Sequence, residues 1–325
     1  MGSLDTLAVV FERPGQLRLD RVALSPPGPG DVVVEVNASG ISTGTEKLLW
    51  NGRMPHFPGM GYPLVPGYES VGRIVEAGPL SGHSSGGAVF VPGARCYPQV
   101  RSLFGGAAQR LVVPGARAVG IDAALGEQAT LLALAATAHH ALHLAHVGLP
   151  DLIVGHGVLG RLIARLTLLL GGAGGAIPTV WECDPRRMPA AGNSPAAVDY
   201  PVVHPEHDPR RDYRTIIDAS GDAGQLDQLI ARLAPGGQLI LAGFYADPLQ
   251  FSFAPAFMRE ASIRVAAEWK EADLLAVRSL AEAGRLSLDG LVTHRVPAGD
   301  ALRAYETAFG DRGCLKMVMD WDACR

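Results

Sequence analysis

Residues 152–160 read LIVGHGVLG, an apolar run that passes directly into a glycine-rich turn. Leu152, Ile153 and Val154 predict a short buried strand. Beyond the turn, Leu159, Leu162, Ile163 and Leu166 surround a polar stripe of Arg161 and Arg165, which predicts a helix to about Leu170. Between them Gly155, His156, Gly157, Val158, Leu159 and Gly160 spell GxGxxG. Each glycine has a steric task. Gly155 permits the tight turn, Gly157 lets backbone approach a pyrophosphate, and Gly160 lets the helix close on the strand. The first N–H groups of the helix then face the phosphates of a dinucleotide.

The motif alone is weak in a chain with 40 glycines, and its surroundings make it specific. Gly171 to Gly175 stop the helix, and Thr179-Val180-Trp181 predicts a second strand that closes on Glu182. An acid there binds a ribose diol and repels a 2′-phosphate, which favours NAD over NADP. Arg186 and Arg187 follow at once and keep NADP as the lesser alternative. Further strand–helix units run through Thr215–Asp218, the Leu226/Leu229/Ile230/Leu233 helix face, Gln238–Ala242 and Ile263–Ala267. This alternation predicts a doubly wound parallel sheet. Ligands lie beyond the carboxyl ends of such strands, so Ala219, Ser220, Gly243 and Phe244 join the expected cofactor neighbours.

Outside that region the pattern changes. At 325 residues, two domains are expected. Residues 5 to about 120 lack helical periodicity and carry short alternating runs such as Val32–Val36 and Ser70–Val75, punctuated by Pro and Gly. After residue 268 come a helix (272–283), a strand (291–296), a helix after Asp300 and a last strand (315–319). A net charge of −4 without a basic block gives no support for nucleic-acid binding, so no such partner is expected. No apolar run approaches the ~20 residues of a membrane span, so no stable membrane insertion is expected, nor a secretion signal. MGSLDT reads as an expression remnant in preference to a myristoylation site. Cys96, Cys183, Cys314 and Cys324 show no CxxC spacing, which fits a reducing, cytoplasmic setting and no disulfide framework.

The order of parts resembles the medium-chain dehydrogenase/reductase family over nearly the whole chain. The carrying segments are YPLVPGYESVGRIVEAG (62–78), GGAAQRLVVPG (105–115), GHGVLG (155–160), LAPGGQLILAGF (233–244) and VTHRVPAGDALRAYE (292–306). The resemblance implies an α/β architecture with a β-rich GroES-like catalytic domain (1–124 and 269–325) and a Rossmann domain (125–268), assembled as a homodimer. Residues 40–72, GISTGTEKLLWNGRMPHFPGMGYPLVPGYESVG, look closest to the 3-hydroxyethyl bacteriochlorophyllide a dehydrogenases of bacteriochlorophyll synthesis. That resemblance implies NAD-dependent oxidation of the C3 1-hydroxyethyl group of a tetrapyrrole to acetyl.

The chain departs from the zinc-dependent relatives, which carry a cysteine in a GICGTD-like segment and a histidine in GHE. Here Ser42 stands near the cysteine position and Tyr68 replaces the histidine, so no zinc is expected. Without a metal, a proton network must ease loss of the hydroxyl proton. Ser42, Thr43, Thr45 and Glu46 on one segment and Tyr68 and Glu69 on the other are the candidates. Tyr68 is expected to bond the substrate oxygen, and Glu69 or Glu46 to receive the proton. Turn-holding by Glu69 and packing by Tyr68 are the plainer readings.

A flat macrocycle calls for a wide apolar slot. Trp50, Met54, His56, Phe57, Met60 and Tyr62 crowd one loop and could line it, or simply pack it. His139, His143 and His146 share a helix face like a metal stripe, but no acidic or cysteine partner is near in sequence, so it reads as polar surface. Two other functions compete: an NADPH-dependent quinone or enoyl reductase of the same superfamily, and a non-catalytic nucleotide-binding redox sensor.

Overall fold

The computed structural model describes residues 4–56, 59–175, 177–189 and 198–324. The chain divides into two compact units, one running to Ala133 and resuming at Leu291, the other spanning Leu134–Gly290.

The first unit opens with a hairpin of β1 (Asp5–Arg13) and β2 (Gln16–Ala23), paired Leu7↔Arg21 and Val9↔Leu19. Next comes the long strand β3 (Asp31–Ile41), whose Val32, Val33, Val34 and Val36 are all buried. Sequence periodicity gave no helix here, yet α1 (Thr45–Trp50) follows directly. Six residues are too few for a periodic stripe to register. The remaining pieces are β4 (Leu64–Val65), β5 (Ser70–Ala77), β6 (Ala88–Val91), β7 (Arg101–Ser102), β8 (Arg110–Pro114), β9 (Val119–Gly120) and α2 (Leu132–His143). Helix α2 straddles the division.

The second unit alternates β10 (Leu152–Val154), α3 (Val158–Gly171), β11 (Thr179–Trp181), β12 (Val202–Val203), β13 (Tyr213–Asp218), α4 (Leu226–Arg232), β14 (Leu233–Leu241), α5 (Phe253–Met258), β15 (Ser262–Val265) and α6 (Glu271–Glu282). All its strand pairs are parallel, in the order β12-β11-β10-β13-β14-β15. The order reverses at β10, so the glycine-rich turn leaves the sheet at its topological switch point. The chain then returns to the first unit with β16 (Val292–Pro297), α7 (Ala301–Gly310) and β17 (Lys316–Asp320). There the order is β16-β17-β3-β5-β6-β9, with β8 also on β3. Tyr305 and Trp321 of this return are fully buried in the same core as Phe11 and the β3 valines.

By its contacts the chain divides at 133/134 and 290/291, where the sequence expectation is 124/125 and 268/269, and α6 lies within the second unit. One expectation is corrected: the histidine stripe is not plain polar surface. Asp273 of α6 bonds His139 Nδ1 at 2.8 Å and His140 Nδ1 at 3.0 Å, an acidic partner 134 residues distant from His139 in sequence. No helix among the described residues is long and apolar enough to cross a membrane.

Candidate active site

Strand register assembles the polar cluster of the first unit. On one side of β3, Ser39 pairs with Ser70 of β5, which sets Glu69 beside Gly40. On the other side Ile41 pairs with Met317 of β17, which sets Lys316 beside the same strand end. Gly40 N donates to Glu69 O at 2.9 Å. A Cβ at Gly40 would lie 2.2 Å from Glu69 Oε2, so glycine makes the space this carboxylate occupies.

Glu69 and Lys316 are fully buried and bonded to each other, Nζ to Oε1 at 2.8 Å and to Oε2 at 2.6 Å. Lys316 also reaches Ile41 O at 3.3 Å. Burial pushes the Glu69 pKa upward, and the Lys316 ammonium opposes that. Neither Lys316 nor Tyr305 stood out in the sequence. A lysine within the apolar strand LKMVM is a signal in itself, because a charge buried there must be paired.

Glu46, also fully buried, has no cation bonded to it among the described residues. Its Oε1 accepts from Ser42 N at 2.9 Å and its Oε2 from the Tyr305 hydroxyl at 2.7 Å. Burial, reinforced weakly by Glu69, raises its pKa to about 7, against the hydrogen bonds and Lys316. Beside it, the Tyr68 hydroxyl donates to Ser42 Oγ at 2.7 Å and lies 3.5 Å from Thr45 Oγ1. The Tyr68 ring meets Phe104 edge-on at 5.0 Å. Burial, with Glu69 adding to it, lifts the Tyr68 pKa far above its ordinary value, so the phenol keeps its proton. The structure thus joins Ser42, Thr45 and Tyr68 into one hydroxyl group, with Glu46 bonded to the Ser42 backbone and Glu69 committed to Lys316. To a divalent cation this set offers no thiolate and no imidazole, and its Glu69 carboxylate already holds an ammonium. The residues do not fit a zinc centre.

In the second unit, Gly155 has φ of +94°, reserved in practice for glycine. A Cβ on Gly160 would fall 1.8 Å from Gly155 O, so the helix closes tightly on the turn. Gly157 caps α3 from an extended conformation. Glu182, at the end of β11, accepts from His156 N at 3.1 Å and from Cys183 N and Asp184 N at 2.8 Å each. His156 bonds Arg187 O at 2.7 Å and the Tyr200 hydroxyl at 3.0 Å, and burial with Arg161 nearby lowers its pKa to about 4. Arg187 Nη1 comes within 3.8 Å of where a Gly157 Cβ would be. Ala219, Ser220 and Gly243 gather at the same strand ends: a Gly155 Cβ would meet Ser220 Cα at 3.2 Å, and one on Gly243 would lie 3.6 Å from Ala219 C. Phe244 beside them is 40% exposed. This side-chain-free cradle at a helix N-terminus, with an acid at the next strand end, fits a nicotinamide dinucleotide.

The loop read as a substrate slot packs against the core of the first unit. Met54 is buried in the core of the first unit, and Met60 and Tyr62 pack against it. Trp50 meets Phe11 edge-on at 5.5 Å and stacks on Tyr305 at 6.5 Å. The Tyr62 hydroxyl is tied to Leu49 O. Met54 is buried while Trp50, Met60 and Tyr62 are half-buried, on a loop that β4 pins onto β1 through Phe11↔Leu64. His56 is exposed, and Phe57 lies outside the described residues.

Residues 28–144 match the alcohol dehydrogenase GroES-like domain. The chain is 56% identical over 319 residues to the 2-desacetyl-2-hydroxyethyl bacteriochlorophyllide A dehydrogenase of Rhodobacter capsulatus, covering 98% of this chain and 99% of that one. It is 55% identical to the Cereibacter sphaeroides protein of the same name, with the same coverage. Among solved structures, L-idonate 5-dehydrogenase from Escherichia coli superimposes with a TM-score of 0.83 at 17% identity, covering 98% and 99% of the two chains, which speaks to the fold alone.

Proposed function

We propose a function from one premise: this chain belongs to the medium-chain dehydrogenase/reductase superfamily and, within it, to the family of 2-desacetyl-2-hydroxyethyl bacteriochlorophyllide A dehydrogenases. It oxidises the hydroxyethyl group of a bacteriochlorophyllide to acetyl, using NAD and no zinc at the reacting oxygen. The observation that carries the substrate is the 56% identity over nearly the full length of both chains.

A nicotinamide held by the second unit would supply the hydride acceptor for this oxidation. The chain's own residues handle the proton. Tyr68, Ser42 and Thr45 present hydroxyls that hold the substrate oxygen and pass its proton inward. Glu46, with a pKa of about 7, is the terminal acceptor, poised to be partly ionised at neutral pH. Between the two carboxylates the sequence left open, Glu46 is favoured because Glu69 is committed to Lys316. With that acceptor bound, loss of the C–H hydrogen with its electron pair and of the O–H proton would balance as one alcohol and one NAD giving one ketone, one NADH and one proton.

Gly155, Gly157 and Gly160 with the N-terminus of α3 would hold the pyrophosphate, and Glu182 the adenosine ribose. Glu182 supports NAD; the nearness of Arg187 to Gly157 is the feature that favours NADP. A homodimer belongs to the same reading, supported by β15 at the edge of its sheet and by the exposed Phe253, Phe257, Met258 and Val265. Sedimentation at two protein concentrations tests that assembly.

The test of function is direct. With NAD and the hydroxyethyl bacteriochlorophyllide, NADH should appear while the chlorin absorption shifts, because an acetyl group extends ring conjugation. No change with that pair, together with quinone-dependent NADPH oxidation, would replace this reading with a reductase.

A further inference from the structure

Within the second unit, α6 and the part of α2 beyond Ala133 bring together three side chains that the candidate active site does not use. We infer that His139, His143 and Asp273 form a binding site for one divalent cation of the zinc class. His139 and His143 stand one helical turn apart, so their rings share a face, with centroids 4.2 Å apart. Asp273 enters from the first turn of α6. One donor atom from each of the three lies within 4.8 Å of the others.

The carboxylate is oriented for this task. Its Oδ2 accepts from His140 Nδ1 at 3.0 Å and from Lys270 N at 2.9 Å. That leaves Oδ1 toward His139 Nδ1 at 2.8 Å and His143 Nδ1 at 3.9 Å. Burial alone would raise the Asp273 pKa, but the Lys270 N–H and the imidazoles hold it below the usual carboxylate range. His140 and Lys270 thus act as the outer contacts that fix a ligand in place.

A plain pin between two helices would need only His139, His140 and Asp273, which are buried. His143 is the surplus part. Its side chain is 58% exposed and opens the cluster to solvent. Its Nδ1 bonds His139 O at 2.9 Å and, on an exposed ring, is free to turn toward Oδ1. Two imidazoles and one carboxylate suit zinc, nickel or copper over magnesium or calcium. Three protein ligands leave a coordination position for water. Entry of the metal displaces the proton shared by His139 and Asp273 and ties α2 to α6.

The test uses the full chain, treated with chelator and carrying Cys183→Ser to remove an exposed thiol. Cobalt(II), the probe, is titrated in while visible absorption is followed, and equilibrium dialysis gives the stoichiometry. One equivalent should bind with ligand-field bands of a low-coordinate site. His143→Ala should abolish those bands and keep the circular dichroism spectrum. His140→Ala should weaken binding about tenfold or more. Zinc should raise the melting temperature of the parent and leave that of His143→Ala unmoved. No saturable binding, or equal binding by the parent and His143→Ala, would overturn the site.

Discussion

Two carboxylates in the first unit, Glu46 and Glu69, are both fully buried and yet are held in opposite ways. Glu69 meets an ammonium through both oxygens, whereas Glu46 meets only a backbone N–H and a phenol. Burial opposes ionisation in each, and the partner decides the outcome. A carboxylate locked to a cation fastens three strand ends together. One held by neutral donors stays able to exchange a proton near neutrality. On the proposed reading, Glu69 is a structural ion pair and Glu46 the proton acceptor of one cluster.

The comparison can be broken at either carboxylate. Glu46→Gln should lower kcat by about 10²–10⁴, the range of general-base contributions, while NAD affinity measured by fluorescence titration is unchanged. Wild-type kcat should rise with pH through about 7, and that inflection should vanish in the variant. Glu69→Gln should instead act on stability; a kcat loss in this variant as deep as that of Glu46→Gln, with the fold intact, would reverse the two roles.

Lys316→Met leaves Glu69 buried without its cation and should cost about 3–5 kcal/mol in urea unfolding. Adding Glu69→Leu should recover most of that loss, since the pair is removed as a unit. A double variant no more stable than the single one would show that the ion pair does more than satisfy itself.

Stability should also follow Glu46 with a definite sign. Its folded pKa of about 7 lies above the ordinary 4.5, so the native state binds the proton more tightly. The resulting stabilisation is complete below the unfolded pKa and is lost as pH rises through the folded one, about 3 kcal/mol in all. Unfolding curves of wild type and Glu46→Gln should diverge by that amount between about pH 5 and about pH 8. A flat difference would mean that Glu46 does not titrate there.

Smaller effects follow from fit. Gly40→Ala drives a methyl onto Glu69 Oε2 and should destabilise by about 1–3 kcal/mol. Glu182→Ser removes the acid at the end of β11 and should weaken NAD about tenfold relative to NADP.

How much of this was legible in the sequence depended on distance along the chain. GxGxxG and Glu182 could be read because a strand, a turn and a helix of consecutive residues carry their whole geometry. The candidate site was readable only to the extent that Ser42, Glu46, Tyr68 and Glu69 stand in recognisable segments. Their partners were hidden. Lys316 and Tyr305 come from the chain's return, and only the antiparallel register of β17 on β3 brings Lys316 to Glu69. The same cause hid Asp273 from the histidines of α2. Trp50, Met54, Met60 and Tyr62 could not be assigned from the sequence for another reason: apolar side chains fit a ligand slot and a protein core equally well, and composition cannot separate the two.

On the proposed reading, side chains take the proton of the alcohol without a metal. His143→Ala protein, stripped with chelator and shown by elemental analysis to be free of zinc, should still convert the hydroxyethyl bacteriochlorophyllide with NAD at the wild-type rate. Turnover that disappears on stripping and returns in proportion to added zinc would contradict it.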